Sequence, residues 1–393
     1  MYLRRLATSL PVQLIAIILL VALCGSMVPT WYVQFFYTIS TILRESLSLL
    51  LPFIIFFFVT SGIIALRQNA PKILLVLLAC VFISNATIAF LVFGIGRVTL
   101  PYVVSHLCVE GLSCAQPVTS FFSLGLPQYI EAKHALLGAI GVGIALSYYP
   151  WAMAEQCVLR GKKILEAFFV RCFIPLLPLY VLGFLLQIQR EEVLVKLVTY
   201  YGSAFFLILT LQAIFLVGYY WIAQAGHIKR TIQALKNALP SYLTAFSTMS
   251  STVAVPVTIK GAIANTRNSA LANMAMPIMA NIHLVGDSIG TPILALVTIL
   301  LFLGTFPSLV TYAYFVFYFC TAMFAVSGVP GGGILVMIPV LKAYLGFTQE
   351  MIGIIMTLYI LLDAFGTAAN VMGDGALVIL LNKLLKKLNL QKV

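Results

Sequence analysis

The sequence predicts an all-α polytopic membrane protein with eight transmembrane helices and two re-entrant helical hairpins. Three observations predict it. Of 393 residues, 62% are hydrophobic and 9% charged, whereas a soluble domain is about half apolar and about a quarter charged. Apolar runs of roughly the 20 residues that cross a hydrocarbon layer recur along the chain. The basic residues gather in short clusters between those runs: Arg4 and Arg5, Arg67 and Lys72, Arg160 to Lys163, Lys229 and Arg230, Lys383 to Lys387. The net charge of +12 is therefore read as positive-inside topology and not as a nucleic-acid surface. The short alternating segments of a membrane β-barrel are not seen.

The first run follows Arg4 and Arg5 and reaches about Val28. It is long enough to span and is read as an uncleaved first helix. Bulky Leu23 before Cys24 speaks against lipoprotein processing. Helices follow over 40–66, 73–98, 136–154, 168–189 and 199–225, each close to a membrane thickness at about 1.5 Å per residue. Residues 99–135 form a polar connection that holds Cys108 and Cys114. These two could pair if the loop faces an oxidising compartment.

After residue 230 the pattern changes. Segment 233–265 is apolar, polar, then apolar again, with Ser250, Ser251 and Thr252 at its middle. That is the form of a hairpin. A spanning helix is expected over 268–299, then a second interrupted segment over 305–345 with SGVPGGG at its centre, then a last helix over 350–386. Irregular backbone survives at membrane depth only where protein buries it or it lines a watery cavity, and broken helices that meet at a shared site are common in transporters. With the N-terminus cytoplasmic and both hairpins re-entrant, only Arg97, Lys133, Arg190, Lys196 and Lys342 fall outside. Arg44 lies within the second helix beside Glu45, a ready partner.

The chain has three aspartates, Asp287, Asp363 and Asp374, all in the C-terminal apolar segments. Each costs about 2.5–3.5 kcal/mol at a helix centre on insertion scales, so such groups face a bundle interior or cavity and mark an ion or substrate path. Asp363, Thr367, Asn370 and Asp374 recur at helical spacing and form one stripe. Their oxygens suit a small hard cation, and the carboxylates suit an ammonium group. His283 precedes Asp287 by one helical turn. On a continuous helix the two share a face and together could hold a proton.

These residues also carry a resemblance. MSSTVAVP, SGVPGGG and DAFGTAANVMGD, in that order, resemble the two hairpin tips and the final-helix motif of the glutamate transporter-type dicarboxylate/amino acid:cation symporters. LRESLSLLLP at 43–52 resembles the family's second helix. The resemblance implies a glutamate-transporter-like elevator fold and a homotrimer in the lipid membrane. It places a scaffold-rich half over 1–230, whose third and sixth helices join the transport domain, and a transport-domain core over 231–393. It assigns Asp363 to a substrate ammonium, and Thr367 and Asn370 to the substrate's polar groups. Ser250, Ser251 and Thr252, with Val329, Pro330 and Gly331, would clasp the substrate carboxylate. Asn370 and Asp374 would hold sodium. Two departures stand out. Gly366 replaces the family's arginine, which removes a bidentate grip on a second carboxylate. The family's N-M-D-G sodium motif reads His283-Leu284-Val285-Gly286, which adds His283 to the cation site and opens the option of protons held at His283 and Asp287.

The expected function is secondary active, cation-coupled symport of an amino acid, neutral or polar rather than acidic. Sodium is the favoured ion and a proton the alternative. The localisation expected is a bacterial inner membrane with both termini cytoplasmic. A channel-like or non-transporting regulatory membrane protein on the same scaffold, or a proton-coupled dicarboxylate/amino acid carrier, are the rival readings. No nucleophile–base constellation or metal-spaced His/Cys cluster speaks for an enzyme, and no cofactor is expected.

Overall fold

The computed structural model describes residues 10–65, 71–104, 119–125, 132–168, 171–172, 174–190, 194–324, 326 and 332–390. The described residues are mainly helical, with no strands among them. The helices are α1 (Leu10–Cys24), α2 (Thr30–Ala65), α3 (Pro71–Val104), α4 (Ala132–Tyr148), α5 (Ala152–Phe168), α6 (Ile174–Arg190) and α7 (Leu194–Ala223). They continue as α8 (Ile228–Thr248), α9 (Ser251–Thr266), α10 (Ser269–Ile282), α11 (Val285–Leu303), α12 (Leu309–Met323), α13 (Gly332–Leu345) and α14 (Gln349–Lys387). Cys108, Cys114, Val329, Pro330 and Gly331 lie outside the described residues, as does the Arg44 side chain. Glu45, expected beside Arg44, accepts the backbone N–H of Leu124 at 2.7 Å.

Four stretches among the described residues are long and apolar enough to cross a membrane: Leu75–Tyr102, Tyr201–Ala223, Ser269–Leu303 and Gln349–Lys387. They fall into two kinds. The apolar windows of Leu75–Tyr102 and Tyr201–Ala223 are 33% and 28% buried, and those of Ser269–Leu303 and Gln349–Lys387 are 94% and 83% buried. A helix apolar on all sides and covered on all sides is a bundle centre. Hence α11 and α14 form the middle of the molecule, and α3 and α7 turn Leu75, Ile83, Phe206 and Ile214 outward.

Helix α2 starts ten residues before the expected 40–66 segment. Ser40 there bonds to a neighbouring helix: its Oγ donates to the Tyr180 carbonyl at 2.8 Å. Gly183 of α6 permits the approach, since a Cβ there would overlap the Phe36 carbonyl. The expected 136–154 helix ends at Tyr148, and Pro150 separates it from α5, because the residue before proline is driven from helical geometry. Helix α5 carries the basic cluster Arg160 to Lys163, which lowers its hydropathy and hides it from a search for apolar runs. It buries Val158 and Leu165, and a Cβ on its Gly161 would overlap Phe57 of α2.

The first hairpin is α8 and α9, joined by Met249 in left-handed backbone (φ 50) and Ser250, which caps α9 by accepting the Val253 N–H. Asn237 and Asn265 bond across it at 2.8 Å. The arms α12 and α13 flank the second tip. With 16, 15 and 14 residues, α9, α12 and α13 each reach about 21–24 Å, short of a hydrocarbon core of about 30 Å.

The single helix expected over 268–299 is not continuous. It breaks at His283 (φ -99, ψ 96) and Leu284 (φ -115, ψ 67), between α10 and α11. His283 and Asp287 therefore do not share a helical face. This corrects the i, i+4 reading, which assumed an unbroken helix.

Candidate functional site

The break at His283–Leu284 is held from α3. Asn85 is buried, its Nδ2 donates to the Ile282 carbonyl at 3.0 Å, and its Oδ1 accepts the Leu284 N–H at 3.3 Å. Backbone groups that leave a helix inside a bundle need such partners. One side chain thus replaces the hydrogen bonds that a continuous helix would have made.

The freed N-terminus of α11 is capped from α14. Asn370 Oδ1 accepts the N–H of Gly286 at 2.7 Å and that of Asp287 at 3.4 Å. This is N-capping by a residue distant in sequence. The two helices touch backbone to backbone here, because a Cβ on Gly286 would overlap the Gly366 backbone. Asn370 Nδ2 donates to Asp287 Oδ2 at 2.7 Å. The other Asp287 oxygen accepts the Tyr359 hydroxyl. Gly333, at the start of α13, packs on this pair: a Cβ there would overlap the Tyr359 hydroxyl. Asp287 is thereby bound by two groups of α14 and lies under the second hairpin.

His283 turns to another carboxylate. Its Nδ1 lies 2.9 Å from Asp374 Oδ1, and the side chains are 0% and 1% exposed. Its Nε2 lies 3.0 Å from Ser84 Oγ, which in turn lies 3.0 Å from the Tyr219 hydroxyl. One polar line thus joins α14, the helix break, α3 and α7.

Thr367 and Asp363 lie about two and about three turns nearer the start of α14 than Asp374, each 7% exposed, and Thr367 Oγ1 donates to Asp363 Oδ1 at 3.2 Å. Ala368 and Val371 of α14 pack with Ala245 and Ala254 of the first hairpin, which sets that hairpin's tip beside the stripe. At the tip Ser250 is half-buried, Ser251 buried and Thr252 exposed. Phe365 meets Phe246 edge-on at 5.0 Å. A Cβ on Gly366 would meet no heavy atom within 4 Å outside its own helix and chain neighbours, so this position opens onto space.

The stripe is therefore buried as expected, but it divides by partner. Asp363 and Thr367 bond to each other, Asn370 brackets α11 and Asp287, and Asp374 takes His283. Among the described residues, no group of three His, Cys, Asp or Glu side chains could hold a metal ion. Tyr359, Ser84, Asn85 and Tyr219 belong to these networks and were not singled out from sequence. Tyr359 stands four residues before Asp363 and extends the stripe by one turn, a spacing visible in the sequence. Ser84 and Asn85 are a polar pair within an apolar helix, which is a usable signal too.

The order of break, hairpins and polar final helix agrees with the comparison by family. The model for "Sodium:dicarboxylate symporter family" matches residues 10–384. The chain belongs to the sodium:dicarboxylate symporter family. No curated protein matches it in sequence. The family is one of transporters and not of enzymes, and with the apolar helices it makes the chain an integral membrane protein. Within this symporter, His283, Leu284, Val285 and Gly366 are the positions at which the residues depart from the motifs quoted above.

Proposed function

We propose that this symporter carries an amino acid, neutral or polar rather than acidic, together with a cation. The observation that carries this is the Asp363–Thr367 pair beside Gly366. A buried carboxylate with a hydroxyl on one oxygen suits an ammonium group. The space at Gly366 has no guanidinium to hold a second carboxylate. Ser250, Ser251 and Thr252 of the first tip, with Val329, Pro330 and Gly331 of the second, are the proposed clasp on the substrate carboxylate. Eight spanning helices, two re-entrant hairpins, an elevator movement of the 231–393 core with helices α3 and α7, and a homotrimer belong to the same proposal. So does an inner-membrane location with both termini cytoplasmic. The short arms α9, α12 and α13 support re-entry.

A ligand that binds only the folded protein raises its stability. Thermal unfolding of the purified protein against each amino acid, in sodium, in potassium and at low pH, names substrate and ion together. Asp363→Asn should remove the amino-acid response, because an ammonium buried without its counter-charge is strongly disfavoured. Unchanged affinity in that variant defeats the assignment. Sodium is the coupling ion of this reading. The His283–Asp374 contact favours a second one, with a proton in its place. Uptake into proteoliposomes that collapses without sodium at constant pH supports the first. Sodium-independent uptake driven by a proton gradient supports the second. Conductance without uptake would point to a channel-like protein on this scaffold.

A further inference from the structure

We propose that His283 is a built-in substitute for a metal cation at Asp374, so that no sodium ion is bound by this carboxylate. The proposal rests on the symport reading and deepens it by saying where coupling does not run. A carboxylate only accepts hydrogen bonds. The 2.9 Å contact of Asp374 Oδ1 with His283 Nδ1 therefore requires a proton between them, on Nδ1 where Asp374 is ionised. That proton lies on the line between the two atoms, a charge-assisted contact, and a metal ion cannot share the position.

The imidazole is not free to swing away. The break between α10 and α11 sets its backbone, and Asn85 fixes the carbonyl and N–H on either side of it. Ser84 holds Nε2 at 3.0 Å, and Tyr219 holds Ser84 at 3.0 Å. With the proton on Nδ1, a neutral ring can accept at Nε2 from Ser84 while Ser84 accepts from Tyr219, which satisfies every group in the line in one direction. Gly373 lies against Val285 and the Cε1 edge of the ring, where a Cβ would overlap Val285.

The other oxygen expected to join Asp374 on sodium is also engaged, since Asn370 Oδ1 accepts the Gly286 and Asp287 N–H groups. A hard cation prefers oxygen, and imidazole nitrogen serves it poorly. Of the residues expected to ligate sodium, Asp374 is thus engaged through Oδ1 by His283, and Asn370 through Oδ1 by the α11 backbone. In His283→Asn the ring gives way to a shorter side chain with an amide oxygen, which frees Asp374 and adds a hard donor beside it.

The test is thermal unfolding of the purified full chain, with sodium chloride replacing choline chloride at constant ionic strength. In the unaltered chain, sodium should leave Tm unchanged, or raise it to the same extent as in Asp374→Asn. His283→Asn should acquire a saturable, sodium-dependent rise in Tm of about 2 °C or more, lost again when Asp374→Asn is added. Sodium stabilisation of the unaltered chain that Asp374→Asn abolishes overturns the proposal, and so does a folded His283→Asn variant with no sodium response. Should His283→Asn fail to fold, the unaltered chain against Asp374→Asn still decides. None of these readings needs a transported substrate. Failure here leaves the Asp363 assignment standing, and failure of that assignment leaves the sodium titration readable.

Discussion

Asn370 is the residue on which substrate, sodium and scaffold readings compete, and its truncation separates them. In Asn370→Ala three interhelical hydrogen bonds are lost: those from the N–H groups of Gly286 and Asp287, and that to Asp287 Oδ2. In membrane proteins such bonds average about 0.6 kcal/mol and reach about 1.7 kcal/mol. The 3.4 Å contact is weak by geometry, and the two at 2.7 Å are strong. The Asp287 carboxylate also keeps only its Tyr359 donor in a site 5% exposed, and a buried polar group that loses a partner costs about 1–3 kcal/mol. The expected destabilisation is about 2–4 kcal/mol. Thermal unfolding in detergent without substrate is the assay. A loss below about 0.5 kcal/mol, the size of an ordinary surface change, together with weaker ligand binding would refute the bracket and return Asn370 to the role of a ligand.

Gly286→Ala should destabilise by about 1–3 kcal/mol, the usual range for overpacking, because its Cβ would overlap the Gly366 backbone. Gly366→Ala, which opens onto space, should change Tm little, and equal effects at the two sites would show the close approach to be wrong. Gly366→Arg should shift preference toward aspartate or glutamate in a competition assay. A variant that binds ligand with no gain for acidic competitors removes Gly366 from selectivity. Tyr359→Phe deletes the hydroxyl on Asp287 and should lower stability by about 1–3 kcal/mol. An unchanged melting curve would show that Asp287 does not depend on it.

The membrane class, the two interrupted hairpins and the buried stripe on the last helix were all determined by local features of the chain. Run length, turn residues at a hairpin tip and helical spacing are properties of a few neighbours, so Asp363, Thr367, Asn370 and Asp374 could be placed on one face without any fold. The break at His283–Leu284 could not. No proline marks it, and the stretch on either side is apolar enough to read as one helix. It exists because Asn85, nearly 200 residues earlier in the chain, takes up the Ile282 carbonyl and the Leu284 N–H, and because Asn370 caps the helix that restarts. Once the helix breaks, His283 turns to Asp374 and Asp287 turns to Tyr359 and Asn370. Periodicity assigns side chains to a face of their own helix. Which carboxylate each one meets depends on backbone groups satisfied from other helices, and that is decided only when the helices pack.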